Sequence, residues 1–283
     1  MKPAIRLIAM DMDGTLLNPA QQLSRENQLA LLEAHRAGIR LAICSGRMPG
    51  DSALFALENG LEQMAILGLN GGCCQQSPDA APYANHVLSP ETALACCRLC
   101  ADKGMTFGLF LQNHVVIFHG RAELRRCDWG GHWDTPGAPL MTYGGDIQQL
   151  AVQGINKIVC VEDDPAVLEV VRKELEKLQG LQVTSSWVNN LELMPAGVDK
   201  GLAVRELAQH LGLALPEVMV IGDYDNDLSM FRCAGFAVAM GNASKAVKSA
   251  AHAITLTNAE DGVAYAIRKW ALGKGSDDSI RSI

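Results

Sequence analysis

Two aspartates one residue apart follow the first apolar run of the chain, where LIAM leads into DMDGT. An Asp-Gly step is ordinary turn chemistry at the end of a strand, so Asp13-Gly14 alone needs no further explanation. Asp11 and Asp13, however, repel one another when both are ionised. The pair therefore calls for a chemical reason.

Polar residues also mark the boundaries of later elements. They are Ser45, Gly46 and Arg47 after RLAIC, Asp223, Asn226 and Asp227 after VMVIG, and Lys200 at the start of a predicted helix. Because the carboxyl ends of parallel strands form a common crevice, we expect these side chains to meet Asp11 and Asp13 there. Turn chemistry explains any one of these positions, but not their recurrence at neighbouring strand ends.

A cluster of four carboxylates, Asp11, Asp13, Asp223 and Asp227, would destabilise the folded protein unless a cation neutralised it. Oxygen-only ligation selects a hard ion. A few carboxylates that leave coordination sites for water and for a substrate phosphate are typical of Mg²⁺. The sequence therefore predicts Mg²⁺ as the cofactor.

The neighbouring groups predict a phosphate-binding site. The hydroxyls of Thr15 and Ser45 and the backbone N–H of Gly46 are donors, and the start of the following helix favours an anion. A phosphate that approaches an aspartate is repelled, since two unit charges about 4 Å apart cost about 4 kcal/mol at an effective dielectric constant of about 20. Mg²⁺ and the ammonium group of Lys200 would offset this repulsion.

The order of the predicted elements places these residues in an α/β protein. Strands such as AIRLIAM and IRLAIC alternate with helices in the first third, and VMVIG and FAVAM do so in the last third. This alternation predicts a Rossmann-like parallel sheet with helices on both faces. We expect residues 1–82 and 191–272 to form this core domain, residues 83–190 an inserted α+β cap domain, and residues 273–283 a polar tail.

Local patterns predict the parts of the insertion. MTFGLFLQNHVVIF predicts an antiparallel hairpin, and residues 165–179 predict an amphipathic helix. SPDAAPYAN, residues 77–85, is rich in Pro and Ala and predicts a linker. Cys97 and Cys100 form a CxxC, but Ser89 can cap a helix that contains them. We interpret both cysteines as small apolar residues of a helix face rather than as zinc ligands.

The composition argues against several classes of partner. The formal net charge of -7 and the isoelectric point near 5.5 disfavour nucleic acids and anionic membranes, which need a basic face. No secretory signal and no apolar run of about 18 residues is evident. Nine cysteines, an odd number, suit reduced thiols better than disulfides. We therefore expect a cytoplasmic protein, with no membrane partner and no nucleic-acid partner.

Four motifs, in this order, resemble those of the haloacid dehalogenase superfamily of phosphohydrolases. They are DMDGT at 11–15, SGR at 45–47, DKG at 199–201 and GDYDND at 222–227. The insertion between SGR and DKG resembles the cap of the Cof-type branch of this superfamily in position and size. The resemblance extends through DGVAYAIRKW near the end of the chain.

The resemblance implies a role for each motif residue. Asp11 would attack phosphorus and form an aspartyl-phosphate, and Asp13 would protonate the leaving oxygen and later activate water. Asp11, the backbone carbonyl of Asp13, and Asp223 would hold Mg²⁺, and Asp227 would orient these ligands without touching the metal. The phosphate would be bound by the backbone N–H of Met12 and by Ser45, Gly46, Lys200 and Asn226.

Several assignments have alternatives. Thr15 and Arg47 are candidates for the substrate site, with a purely structural role as the other interpretation. Asn70, in NGG, matches a family position that faces the cap and is predicted to contact substrate, with a simple turn as the alternative. Residues 125–137, RRCDWGGHWDTPG, are interpreted as a loop that binds a sugar or ring, or as an ordinary surface loop with two packed tryptophans.

The resemblance implies an Mg²⁺-dependent phosphatase of small phosphorylated metabolites. Sugar phosphates are the first expectation, and flavin mononucleotide and pyridoxal phosphate are further candidates. A phosphomutase and a non-catalytic sugar-phosphate sensor are the alternatives on the same scaffold. Asp13 disfavours a dehalogenase, because that branch lacks the second carboxylate. A phosphate-accepting receiver module is disfavoured because such modules lack both the DxDGT pair and a long insertion.

Overall fold

The computed structural model describes residues 4–120, 140–185 and 189–274. In this part of the chain the strands are β1 (Leu7–Met10), β2 (Arg40–Cys44), β3 (Ala65–Gly68), β4 (Cys73–Gln75), β5 (Pro82–Asn85), β6 (Thr106–Leu111), β7 (His114–Phe118), β8 (Leu140–Tyr143), β9 (Lys157–Val161), β10 (Leu181–Thr184), β11 (Asn190–Pro195), β12 (Val218–Gly222), β13 (Phe236–Ala239) and β14 (Ala253–Ile254). The α-helices are α1 (Arg25–Arg36), α2 (Pro49–Glu58), α3 (Pro90–Asp102), α4 (Ile147–Gln153), α5 (Pro165–Leu175), α6 (Lys200–His210), α7 (Leu228–Cys233), α8 (Lys245–Ala250) and α9 (Gly262–Ala266).

The first sheet has the strand order β14-β13-β12-β1-β2-β3-β4-β5. The strands from β14 to β3 pair in parallel, which confirms the predicted α/β fold class. All four residues of β1 are fully buried. Because successive side chains of a strand point to opposite faces, both faces of the sheet must be covered, as expected of a parallel sheet between helices.

The edge of this sheet differs from the prediction. Strands β4 and β5 pair antiparallel to their neighbours, so the sheet is mixed rather than wholly parallel. Strand β5 also occupies residues 82–85 of the predicted linker. The prediction of a linker is therefore wrong for these four residues. Tyr83 explains the difference, because its ring stacks on His210 of α6 at 4.5 Å and packs against the core. A stacked aromatic side chain stabilises a segment whose Pro and Ala content suggested a loop.

The second sheet has the strand order β10-β11-β9-β6-β7-β8 and is largely antiparallel. The predicted hairpin is present as β6 and β7, with Gln112 at the turn in a left-handed conformation (φ 46°). Helix α5 lies within the helix predicted over 165–179 and carries the Glu169–Lys173 pair at 3.2 Å. Cys97 and Cys100 lie buried on α3, as small apolar residues of a helix face do.

Sheet membership differs by a few residues from the predicted segment boundaries. Strand β5 continues the first sheet to residue 85, and β11 continues the second sheet to residue 195. The division of the chain into two domains at 83 and 190 stays a prediction. The loop at 125–137 and residues 275–283 of the predicted tail lie outside the described residues. In the described part of the chain, no helix combines the length and the apolarity that crossing a membrane requires.

Candidate active site

Lys200 lies at the centre of the predicted site. It is the first residue of α6, where the side chain of Asp199 caps the helix by accepting a hydrogen bond from the N–H of Leu202. Its Nζ donates to Oδ1 of Asp11 at 2.7 Å and to Oδ1 of Asp227 at 2.6 Å. The Lys200 side chain is 1% exposed, so one cation is buried between two carboxylates.

Asp223 lies beside this group at the end of β12. Its Oδ1 accepts a hydrogen bond from the hydroxyl of Thr15 at 2.8 Å. Gly14 has a φ of 78°, and a Cβ at that position would collide with the carboxylate of Asp223. Glycine therefore allows the turn after β1 to approach β12 closely. Thr15, a predicted substrate-binding residue, is fully buried here and orients a carboxylate with its hydroxyl.

Asp227 holds the loop after β12. Its Oδ2 accepts hydrogen bonds from the backbone N–H groups of Asp223 (2.8 Å) and Tyr224 (3.1 Å), while its Oδ1 contacts Lys200. Both carboxylate oxygens are thus engaged with protein donors. This arrangement favours the predicted orienting role of Asp227 over direct metal ligation.

The charges of the site shift its ionisation. Burial, together with the nearby carboxylates of Asp227 and Asp223, raises the pKa of Asp11 to about 8 against the opposing effect of Lys200. Burial and Asp227 raise the pKa of Asp223 to about 6, although the hydrogen bond from Thr15 lowers it. Burial lowers the pKa of Lys200, but Asp11 and Asp227 outweigh it and raise the pKa above its usual range. When its aspartates are ionised, the site holds more negative charge than a single ammonium group neutralises, which is why, together with burial, protonation of Asp11 and Asp223 is favoured.

A divalent cation would offset this excess. Asp11 and Asp223 each offer one carboxylate oxygen, and these oxygens lie within 4.8 Å of one another and of an oxygen of the orienting Asp227. This oxygen-only donor set suits a hard ion such as Mg²⁺ and has no cysteine or histidine that would favour a transition metal. The residues present therefore fit the predicted cofactor.

The side chain of Asp13 lies apart from this cluster and contacts Arg47. Nη2 and Nε of Arg47 donate to Oδ1 and Oδ2 of Asp13 at 2.6 and 2.9 Å, which is bidentate pairing. Arg47 also contacts the buried carboxylate of Asp51 at 3.4 Å and the amide oxygen of Gln21 at 3.0 Å. Burial lowers the pKa of Arg47, but the two carboxylates outweigh it. Arg47, predicted to bind substrate, thus fixes the side chain of the predicted proton donor.

The remaining predicted phosphate-binding residues lie on loops that meet at one side of the site. The Oγ of Ser45 accepts a hydrogen bond from the backbone N–H of Arg47 at 3.2 Å. A Cβ on Gly46 would lie 3.2 Å from Oδ1 of Asn70, so the two loops are in close contact. Asn70 has a φ of 54°, and its Oδ1 accepts from Nδ2 of Asn226 at 3.4 Å.

These residues border a cavity of about 930 Å³, a volume typical of small-molecule sites. Its floor is formed by the loops after β1, β2 and β12 and by the start of α6. The described residues that border it include most of the predicted site, namely Asp11, Asp13, Ser45, Gly46, Arg47, Asn70, Lys200, Asp223 and Asn226. The side chains of Met12, Thr15 and Asp227 lie behind this surface.

One face of the second sheet forms the roof of the cavity. The side chains of this face that border the cavity include Phe110, Lys157, Val159, Glu192 and Met194. No residue of the insertion could be assigned from the sequence. The available signal was a lysine and a glutamate inside the apolar strands KIVCV and NLELMP, both of which are buried in the structure. Charged residues inside buried strands are uncommon unless they are paired.

A family model described as haloacid dehalogenase-like hydrolase matches residues 8–267. The chain is 33% identical over 268 residues to 5-amino-6-(5-phospho-D-ribitylamino)uracil phosphatase YcsE of Bacillus subtilis, covering 95% of this chain and 96% of the relative. It is 30% identical over 291 residues to YwtE, a phosphatase named for the same substrate in the same organism, covering 95% and 99%. A solved haloacid dehalogenase-like hydrolase from Bacteroides thetaiotaomicron matches with a TM-score of 0.80 and 32% identity, covering 94% and 99%.

Proposed function

This chain belongs to the haloacid dehalogenase-like hydrolase family, and we propose that it is an Mg²⁺-dependent phosphatase that hydrolyses small phosphorylated metabolites. Sugar phosphates are the first candidates, and flavin mononucleotide and pyridoxal phosphate follow. One observation carries the proposal: a buried carboxylate, Asp11, is held by the buried Lys200 at the floor of a cavity of metabolite size. The names of two relatives, phosphatases of a phosphorylated ribitylamino compound, support a phosphate ester of a polyhydroxylated alcohol.

The proposed metal site consists of Asp11, Asp223 and the backbone carbonyl of Asp13, with Asp227 behind it. When bound, Mg²⁺ would neutralise part of the charge of these carboxylates and of the incoming phosphate. Thr15 keeps the Asp223 carboxylate in place, and Asp227 keeps the backbone that carries it in place. These contacts pre-organise the oxygens, so little rearrangement is needed when the ion binds.

In the first step, a carboxylate oxygen of Asp11 attacks phosphorus. A bond from this oxygen to phosphorus forms, and the bond from phosphorus to the ester oxygen breaks. The leaving oxygen takes a proton from the carboxyl group of Asp13. The products are the free alcohol, an aspartyl-phosphate on Asp11, and Asp13 as a carboxylate.

In the second step, water attacks the phosphorus of the aspartyl-phosphate. Asp13 accepts the proton of the water, the bond between phosphorus and Asp11 breaks, and inorganic phosphate leaves. Both aspartates return to their initial states. One carboxyl group thus serves as acid and then as base, as microscopic reversibility allows.

Lys200 and Arg47 place the two aspartates. Lys200 holds one oxygen of Asp11 and offsets part of the repulsion between this carboxylate and a phosphate. Arg47 donates to both oxygens of Asp13 and so fixes the orientation of this carboxyl group, and each oxygen keeps a further lone pair that can carry or accept a proton. The Asp13 side chain is 48% exposed, so this remaining edge is accessible to substrate and water.

The buried thiols support a cytoplasmic location for the proposed enzyme. The cysteines in the described residues are free, and burial raises the pKa of most of them, for example that of Cys73 to about 11. Free buried thiols are the usual state in a reducing compartment.

Release of inorganic phosphate by the purified protein tests the proposal. With Mg²⁺, we expect turnover of p-nitrophenyl phosphate and of several metabolites in a panel of phosphorylated sugars, polyols and cofactors. Chelation with EDTA should abolish this turnover, and added Mg²⁺ should restore it. Tight binding of a sugar phosphate without phosphate release would identify a sensor. Transfer of phosphate between positions of one sugar would identify a mutase.

A further inference from the structure

The roof of the cavity contains a buried ion pair, Lys157 and Glu192. Their side chains are about nine-tenths buried, and Nζ of Lys157 lies 3.7 Å from Oε2 of Glu192. A buried ion pair contributes stability only if excellent geometry offsets the loss of hydration. At 3.7 Å the contact is an ion pair but not a hydrogen bond. Fold stability alone therefore gives a weak reason for this pair.

Strand register places the pair on the face toward the cavity. Lys157 pairs with Phe110, and Glu192 pairs with Val159, two residues along β9 from Lys157. Cross-strand partners and residues two apart share a face of a sheet, so these four side chains lie together. The residues between them, such as Ile158 and Leu193, point to the other face, where α3 and α5 cover them.

The pair also contacts the loops that surround the phosphate site. Lys157 Nζ donates to the carbonyl of Gly46 at 3.2 Å and lies 4.9 Å above the ring of Phe110. Glu192 Oε2 accepts from Nδ2 of Asn70 at 3.3 Å. Gly46 and Asn70 are both residues of the floor. The roof thus presents one cation and one anion directly beside the loops expected to hold the phosphate.

We propose, on the basis of the phosphatase function proposed above, that Lys157 and Glu192 select phosphate esters of polyhydroxylated alcohols. Glu192 accepts a hydrogen bond from one hydroxyl group of the leaving alcohol, and Lys157 donates one to the oxygen of a neighbouring hydroxyl. An ammonium group has three donors and a carboxylate has several acceptor positions, so both can bind a ligand while keeping their contacts to the floor.

The pairing of charges fits this class of ligand. A hydroxyl group is both donor and acceptor, so two adjacent hydroxyls can satisfy an anion and a cation side by side. An alkyl chain has neither a donor nor an acceptor, so it forms neither of these hydrogen bonds. Because hydrogen bonds to charged groups are stronger than those between neutral groups, a substrate without the hydroxyls loses two favourable contacts.

The alternative is that the pair only ties the roof to the floor. In that case its loss would slow every substrate to the same degree, because closure would be impaired whatever the leaving alcohol. Selection by the pair instead predicts an effect that depends on the hydroxyl groups of the substrate. Two substrates with the same carbon count and the same type of ester therefore separate the two roles.

The experiment compares D-sorbitol 6-phosphate with n-hexyl phosphate, both of which are primary alkyl phosphates of six carbons. The variants are Glu192→Gln and the double variant Lys157→Met/Glu192→Gln, which leaves no uncompensated charge if a single change impairs folding. The control is Glu169→Gln/Lys173→Met, an exposed ion pair of α5 on the other side of the second sheet. Thermal melting shows whether each variant is folded, and p-nitrophenyl phosphate reports activity independent of hydroxyl groups.

We expect the wild type to prefer sorbitol 6-phosphate by about 100-fold or more in kcat/KM, because the alkyl ester forms neither hydrogen bond to the charged pair. In the folded roof variants the ratio should fall by about 10-fold or more. In the α5 control it should stay within about 2-fold of the wild-type ratio. A wild type without the preference, or roof variants that lower both rates equally, would overturn the selective role. Absence of phosphate release from all three substrates by the wild type would overturn the proposed function itself, and the selective role with it.

Discussion

Lys200 and Lys157 are buried lysines that border the same cavity, one in the floor and one in the roof, and their partners differ. Lys200 makes two short hydrogen bonds to carboxylates, at 2.7 and 2.6 Å. Lys157 contacts a carbonyl at 3.2 Å, a ring, and a carboxylate at 3.7 Å. The floor lysine donates two hydrogen bonds to protein anions, whereas the roof lysine donates one, to a carbonyl, and can also bind a ligand.

The backbone beneath the two lysines differs as well. The floor groups lie at strand ends and on loops that need special conformations, such as Gly14 and Asn70 in the left-handed region. The roof groups lie on regular strands, Lys157 at the start of β9 and Glu192 inside β11, where alternation decides which side chains face the cavity. The floor is therefore suited to the group that all substrates would share, the proposed phosphate. The roof can change one side chain at a time without altering the backbone.

The largest effect is expected from Asp11→Asn. An amide is a poor nucleophile, so kcat should fall by about 10⁴-fold or more. The same loss is expected for p-nitrophenyl phosphate and for a sugar phosphate, because Asp11 acts on the common group. Steady-state phosphate release measures both rates, and thermal melting verifies the fold. Wild-type turnover in this variant would show that Asp11 is not the nucleophile. It would also contradict the assignment of the common chemical step to the floor.

Lys200→Met is expected to affect both activity and stability. The change leaves Asp11 and Asp227 buried without their cation, and breaking a buried pair typically costs about 3–5 kcal/mol of unfolding free energy. Denaturant unfolding with Mg²⁺ absent measures this cost. The matched control is Lys173→Met, whose exposed partner contact contributes less than about 1 kcal/mol. Equal unfolding free energies of the two variants would show that the contacts of Lys200 contribute no more stability than those of an exposed lysine.

Asp223→Ala should raise the Mg²⁺ concentration needed for half-maximal activity by about 10-fold or more, since a predicted carboxylate ligand is lost. The control is Asp225→Ala, a carboxylate two residues away that accepts a hydrogen bond from Ser244. Its Mg²⁺ requirement should change much less. Titration of activity with Mg²⁺ gives both values, and an equal shift in the two variants would place the metal elsewhere.

The smallest effect concerns the pH dependence of stability without metal. Burial raises the pKa of Asp11 to about 8 and that of Asp223 to about 6. Between the unfolded value near about 4 and these values, the folded protein binds more protons than the unfolded protein. Stability is therefore fully present below about pH 4 and is lost as the pH rises through 6 and 8.

Melting temperatures in EDTA from about pH 5 to about pH 8 measure this slope, and the same series with Mg²⁺ should be flatter. Asp223→Asn serves as the control, because an amide oxygen still accepts from Thr15 but does not titrate. Below about pH 6 the slope of the variant should be shallower, because only the share that Asp11 contributes remains there. Equal slopes of melting temperature against pH with and without Mg²⁺ would mean that the floor carboxylates do not bind the cation.

The floor was largely predictable from the sequence because its residues lie in short motifs at strand ends. Parallel topology brings these ends to one edge, so the motifs alone are enough to place Asp11, Lys200 and Asp223 together. Side-chain partners were less predictable. Nothing in the motif SGR indicates that Arg47 holds Asp13, since that contact depends on how two loops approach one another.

The roof could not be predicted to the same degree. Which residues of an antiparallel sheet face a cavity depends on register and on long-range pairing, and a shift of one residue reverses the faces. Lys157 and Glu192 are far apart in sequence, and β9 and β11 bring them together. The edge strand β5 was missed for a related reason, because its stability comes from a ring stacked on a distant helix.

Strand β11 ends at Pro195, and α6 begins at Lys200, so residues 196–199 alone connect the roof to the floor lysine. At the other crossing, β5 ends at Asn85 before the chain enters the second sheet. A chimera that exchanges this sheet between relatives should therefore join the chains just after residue 85 and just after residue 195. Such a chimera would take all roof residues from one relative. It would keep the Lys200 of the other relative together with the aspartates that this lysine contacts.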